Sequence, residues 1–166
     1  MKKRWLSLFV ENEIGVLARI SGLFSAKSYN LNSLTVGTTE DESISRMTIS
    51  LTSDDKTFEQ VKKQLNRCVE VIKVIDLTDK KIHNKELVFI KIINCDKTEI
   101  DELFEFAQVF SLSVVDYNFS SVVLECVQSE DKNNSIIKLL TERFLGRIEV
   151  VRGGSVAIES LTGFNV

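Results

Sequence analysis

Few residues in this chain could do covalent chemistry. Its single histidine, His83, falls in the polar stretch Thr78 to Glu86 (TDKKIHNKE). A Ser-His-Asp triad or a histidine-built metal site would need that imidazole, but a polar connecting stretch gives it an ordinary solvated role. The three cysteines, Cys68, Cys95 and Cys126, are far apart and form no CxxC pair. A disulfide framework or zinc knuckle is therefore not indicated, and each thiol reads as structural and buried. The acidic run Glu40-Asp41-Glu42 has two readings, a metal site or a solvated turn; the turn is the simpler. No P-loop, GxGxxG or HExxH occurs, so no nucleotide cradle or zinc-protease helix is encoded.

One segment stands apart: Glu11-Asn12-Glu13-Ile14-Gly15-Val16-Leu17-Ala18-Arg19. Its apolar periodicity predicts a helix over 14–26, with Asn12 placed to cap it. Gly15 then falls in the first turn, where it costs on the order of 1 kcal/mol against alanine. Two readings fit. Glycine is tolerated near a helix end or at a close packing contact. Alternatively, the missing side chain lets a ligand reach the helix start, where free amides and the positive dipole end favour a carboxylate. Asn12 would add an amide that donates or accepts, and Ile14, Val16 and Leu17 an apolar wall.

The elements that would position this segment form one pattern used twice. Residues 4–10 read as a strand, followed by the helix. Residues 30–38 and 44–52 read as strands joined by the acidic turn. Ser53-Asp54-Asp55 open a helix with Phe58, Val61 and Leu65 on one face, and 69–77 close the unit as a strand. Thr78 to Glu86 reads as a linker. The order then recurs: a strand at 87–93, a helix marked by Ile100, Leu103, Phe104, Ala107 and Phe110, and a hairpin of 112–117 with 120–127 turning at Asn118. A helix marked by Ile136, Ile137, Leu140 and Phe144 follows, then a strand at 147–158 broken by Gly153-Gly154. The fold class is α+β: two tandem ferredoxin-like βαββαβ domains, residues 1–78 and 79–166. Halves this small leave marginal cores and open strand edges, which favours dimerisation.

The 166 residues are 43% hydrophobic and 27% charged, with net charge -3. Acidic and basic residues are mixed along the chain, so no nucleic-acid or anionic-membrane surface is indicated. Lys2-Lys3-Arg4 is not followed by a signal-peptide core, because Ser7, Glu11 and Asn12 interrupt it. No run reaches the length of a membrane span. A soluble cytoplasmic protein is expected. There is no proline, so turns must rely on Gly, Asn, Asp and Ser.

The run ENEIGVLARISGLFSAKSYNLNSLTVG, Glu11 to Gly37, resembles the start of the acetolactate synthase small subunit. That family carries a pattern close to E-N-x-x-G-x-L-x-R-x-x-G-L-F-x-x-R-G-Y-N-I-x-S-L-x-V. Here the matches are Glu11, Asn12, Gly15, Leu17, Arg19, Gly22, Leu23, Phe24, Tyr29, Asn30, Ser33, Leu34 and Val36. Ser45-Arg46-Met47-Thr48-Ile49, the VIKVIDLTD stretch and the strand LVFIKI match as well. The resemblance is specific in the first half and looser after Asn94.

The resemblance implies an ACT domain in front and a second ferredoxin-like domain behind. It implies a homodimer through ACT domains joined side by side, with valine or another branched-chain amino acid at the junction. By motif match Asn12, Gly15 and Asn30 would carry that effector, and Ile14, Val16, Leu17 and Leu31 would line the site. It implies a non-catalytic regulatory role. The partner is a large catalytic subunit that holds thiamine diphosphate, magnesium and FAD, none of which this chain would bind. The family has Gly where Ser28 stands, which would put serine in a glycine-favouring helix end. Arg143-Phe144 and Val151-Arg152-Gly153-Gly154 also depart from the family, and Thr162 to Val166 match nothing in it. Two rivals remain. One is a stand-alone ACT-type module serving another partner. The other is an acylphosphatase-like hydrolase, which needs a phosphate-cradling loop with arginine after the first strand; Arg19 lies mid-helix instead.

Overall fold

The computed structural model describes residues 1–26 and 29–161. Ser28 and Thr162 to Val166, singled out above, lie outside the described residues. The chain divides into two compact units. One is Met1–His83 together with the chain from Ser155 onward; the other is Asn84–Gly154.

In the first unit β1 (Lys2–Glu11), α1 (Val16–Ala26), β2 (Leu31–Thr38), β3 (Ile44–Ser53), α2 (Asp55–Leu65) and β4 (Val71–Asp76) follow in order. The antiparallel sheet runs β2-β3-β1-β4. Register sets its two faces. Leu6 pairs with Ile49 and Leu8 with Met47, so these four point to one side, where Ile20, Phe24, Phe58, Val61 and Leu65 meet them in one buried core. Each such side chain is worth roughly 1.5–3 kcal/mol of burial. Asp54 caps α2 by accepting from Thr57 N–H at 2.7 Å, as the Ser53-Asp54-Asp55 signal indicates. The acidic turn is a solvated hairpin loop in which Asp41 accepts from the N–H and hydroxyl of Ser43 at 2.9 and 2.6 Å. Those bonds hold the Asp41 carboxyl below its usual range.

The first helix departs from the expected span. It starts at Val16, not Ile14, because Gly15 takes φ +93°. The buried stripe is Val16, Ile20 and Phe24, with Leu23 beside it; Ile14 and Leu17 face outward.

In the second unit β5 (Ile82–Ile93), α3 (Lys97–Phe110), β6 (Ser113–Asn118), β7 (Ser121–Gln128), α4 (Glu130–Arg143) and β8 (Ile148–Glu159) repeat the βαββαβ order. Their sheet runs β6-β7-β5-β8. The first residues of β5 and the last of β8 belong to the first unit. Val88, Ile90, Ile92, Leu103, Val122, Leu124, Ile136 and Leu140 form the core. The fold is thus two tandem ferredoxin-like α+β units. Among the described residues, no helix is long and apolar enough to cross a membrane.

Two local expectations are corrected. The linker does not extend to Glu86: β5 begins at Ile82 and leaves His83 exposed. Glu86 is buried there because Arg152 donates two hydrogen bonds to its carboxylate, at 2.9 and 2.7 Å. The last strand is not broken at Gly153-Gly154. It runs through both residues, with Gly154 at φ +80°, a departure from extended backbone that glycine accepts without strain.

A capping box starts α3: Asp96 accepts from Glu99 N–H, and Glu99 accepts from Asp96 N–H. Arg147 clamps the same Glu99 at 2.7 and 2.9 Å. Arg147 and the Asp96 amide together lower the Glu99 carboxyl to about 2. A depressed carboxyl stabilises the fold above its unfolded pKa, ~4.3, and the contribution disappears as pH falls toward 2. Urea midpoints for the parent chain should therefore drop between pH 5 and 2. In Glu99→Gln that acid slope should be shallower; equal slopes would remove Glu99 from the account.

Candidate functional site

The segment Glu11 to Val16 leaves the centre of the first sheet and turns into α1. Contrary to the expectation from its position, Asn12 does not cap the helix. Its backbone N–H donates to Ser43 O at 2.7 Å. Its side-chain Nδ2 donates to Glu42 O at 2.8 Å, and its Oδ1 accepts from Ser45 Oγ at 3.0 Å. The amide is thus oriented by the β2–β3 hairpin. Gly15 takes the capping place by conformation: its carbonyl accepts the first helical bond, from Arg19 N–H at 2.9 Å. A Cβ built on Gly15 would meet nothing within 4 Å. The glycine is required by φ, and the space beside it is open.

The first turn of α1 contains no acidic residue; Val16 N–H donates to Glu13 O at 3.3 Å, which leaves Leu17 and Ala18 as the first-turn amides at the positive dipole end. The other residues take different places. Ile14 is fully exposed and Leu17 is 43% exposed, whereas Val16 is 5% exposed and packs into the core. Asn30 is exposed, and Leu31 packs against the core at the start of β2. Arg19 pairs with Glu70, which leaves no phosphate-cradling arginine here.

Register separates these residues into two groups. Glu11 pairs with Ile44 at the start of β3, next to the Ser45 that holds Asn12. Leu31 pairs with Leu51 near the other end of β3. The span from Ser45 to Leu51 is roughly 20 Å along an extended strand. Within one chain, Asn12 and Gly15 therefore sit at one end of the sheet and Asn30 and Leu31 at the other. Strand β2 is an edge of that sheet, and Thr38, at its far end, pairs with Ser45.

Sequence reasoning missed Ser45 and the Glu42 carbonyl as the partners of Asn12. The Ser45-Arg46-Met47-Thr48-Ile49 match was visible, but the hydrogen bond spans 33 positions and depends on the β1–β3 register.

Residues 6–73 match the family model described as the AHAS small subunit-like ACT domain, and residues 85–161 match that of the small subunit of acetolactate synthase. A probable acetolactate synthase small subunit from Archaeoglobus fulgidus is 40% identical over 156 residues, covering 94% of this chain and 96% of that one. The chain belongs to the acetolactate synthase small-subunit family.

The Aquifex aeolicus acetolactate synthase small subunit is 40% identical over 158 residues, covering 95% of this chain and 81% of the relative. The crystal structure of the Thermotoga maritima small subunit superposes with a TM-score of 0.86 at 29% identity, covering 100% of both chains. Within this small-subunit family, the Asn12–Gly15 turn lies in the segment matched by the ACT model. Cys126 and Cys95 are buried and Cys68 is half-buried. Burial, with the Glu86 charge second, raises the Cys126 thiol, and burial does the same at Cys95, so neither has the character of a nucleophile.

Proposed function

We propose that this chain is the regulatory partner of an acetolactate synthase catalytic subunit in the cytoplasm. It raises the activity of that subunit and transmits feedback inhibition by valine or a related branched-chain amino acid. The observation that carries this reading is the division of the site. A two-fold axis that pairs β2 antiparallel with β2 of a second copy would bring Asn30 and Leu31 of that copy beside Thr38, Ser45 and Asn12. The exposed Ile14, Leu17 and Val36 supply apolar surface on the same flank for such a homodimer. The effector carboxylate would take the first-turn amides of Leu17 and Ala18, and Asn12 its polar end.

Regulation then follows from linkage. An amino acid that binds one arrangement of the paired ACT domains more tightly biases the attached enzyme by that difference in affinity. Thiamine diphosphate, magnesium and FAD belong to the catalytic subunit on this reading, and this chain supplies only binding and conformational bias.

The purified chain alone should form no acetolactate from pyruvate. Added to its catalytic subunit it should raise the rate, and valine should lower the rate of the mixture. Pyruvate turnover by the chain alone would count against the reading. So would a catalytic subunit indifferent to its presence, which would favour a stand-alone amino-acid-binding module.

A further inference from the structure

The face of the first sheet turned away from its helices carries hydroxyls. Trp5 pairs with Ser50 and Ser7 with Thr48 across β1–β3, and Ser33 and Thr35 of β2 continue the row. A face this polar would ordinarily be solvated, yet Trp5 is 7% exposed, Thr48 5%, and Ser7 and Ser50 0%. The segment Ser155–Ser160, which belongs to this unit, helps to cover it. Ser155 N–H donates to Ser33 Oγ at 3.0 Å, and Thr35 Oγ1 donates to Ser155 O at 3.0 Å. Ala157 packs on Trp5 and Leu77. Arg46 spans the junction: Nε donates to Ser7 Oγ at 2.8 Å and Nη2 to Ala157 O at 3.2 Å. Lys80 pairs with Glu159 at 2.7 Å at the outer end.

Two features set this junction apart from the core on the other face. Toward the first sheet its lining is mostly hydroxyl, so water can replace most of those contacts, while the segment keeps its own pairing as the end of β8, where Ser160 N–H donates to Lys81 O at 2.8 Å. Among the described residues, Ser50 Oγ and Ser155 Oγ are buried without a hydrogen-bond partner. Such groups regain hydration when uncovered. The apolar grip reduces to Ala157 against Trp5 and Leu77, with Ile75 and Ile82 around them.

From this geometry we infer that Ser155–Ser160 is a detachable strap on the ACT sheet, that Arg46 is its catch, and that strap seating is coupled to effector binding through the dipeptide Ser45-Arg46. The coupling rests on the effector reading above. Ser45 orients Asn12, and the next residue holds Ala157. A ligand that fixes the Asn12 amide fixes Ser45 in place, and with it the start of β3 from which Arg46 reaches the strap. Effector binding therefore favours the seated strap, and by reciprocity loss of the catch weakens effector binding by the same factor. Arg46 acts through Ser45 and is a positioning residue; it does not touch the effector.

Trp5 is the only tryptophan and lies under Ala157, so its fluorescence reports the strap directly. The test uses the full chain, acrylamide quenching of Trp5, and calorimetric titration with valine. Arg46→Ala should raise the quenching constant severalfold and shift the emission to the red, with far-UV circular dichroism unchanged. Ala157→Glu, which forces a larger charged group onto Trp5, should do the same by an independent route. Valine should reduce quenching in the parent chain, and its affinity should fall in Arg46→Ala, with Arg46→Lys intermediate. Parent-like quenching in both folded variants overturns the strap. Valine that binds with clear heat but leaves Trp5 quenching unchanged overturns the coupling while the effector reading stands. No heat in the parent chain overturns the effector reading and the coupling together, and the quenching data still decide the strap.

Discussion

Arg152→Ala should destabilise the second unit by about 3 kcal/mol, the low end of what breaking a buried ion pair costs. The Glu86 side chain is 4% exposed and that of its partner Arg152 38%. Glu86 also accepts from Asn133 Nδ2 at 3.1 Å, and Asn133 in turn accepts from the Cys126 thiol at 2.9 Å. Removing Arg152 leaves a negative charge in this enclosed network with its main counter-charge gone. The remaining bond from Asn133 and the solvent that already reaches Arg152 keep the loss from being larger. The pairing makes a sharper test than the single variant. Glu86→Gln keeps most of the shape and removes the charge, so Glu86→Gln/Arg152→Ala should lose less stability than Arg152→Ala alone. Hydrogen exchange at β7 and α4 amides reads this unit without involving Trp5. A double variant less stable than Arg152→Ala would mean that charge burial is not what Arg152 compensates.

Much of this architecture is legible in the sequence because it is encoded locally. The helix α2 needs only Asp54 as a cap and the Phe58, Val61, Leu65 stripe. The box that opens α3 lies within Asp96 to Glu99, and the hairpin at Asn118 lies within a few residues of its turn. What was misread depends on partners far away or on backbone angles. Thr78 to Glu86 looks like a linker because its inward positions include Asn84 and Glu86. The residue that allows Glu86 to be buried is 66 positions on. The last strand looks broken at two glycines because sequence does not reveal that β8 runs through them, with only Gly154 leaving the extended range at φ +80°. At the candidate site, Asn12 and Gly15 could be singled out from type and spacing. The role of Asn12 could not, since its partners sit on the β2–β3 hairpin. Nor could the separation of Asn12 from Asn30, which only the register of β3 makes visible.

The φ of +93° at Gly15 constrains how the proposed effector site can be tested. A helix position would have accepted aspartate with little cost, but φ +93° strains any other residue by about 1–3 kcal/mol. Gly15→Asp alone would therefore mix strain with charge. Gly15→Ala separates them, because it carries the same backbone penalty and its methyl has open space. Both variants should lose similar stability in urea. They should differ in valine affinity. With a carboxylate docked on the amides that follow Gly15, the alanine variant loses some affinity through the shifted turn. The aspartate variant adds a like charge against the ligand. The gap between them should be at least about tenfold in Kd, or 1.4 kcal/mol, and should narrow at high salt, because screening weakens exposed charges. Activation of the catalytic subunit should survive in both. Equal valine affinities in two folded variants would mean that no carboxylate sits at the start of α1, and the effector would have to be sought elsewhere on the ACT domain.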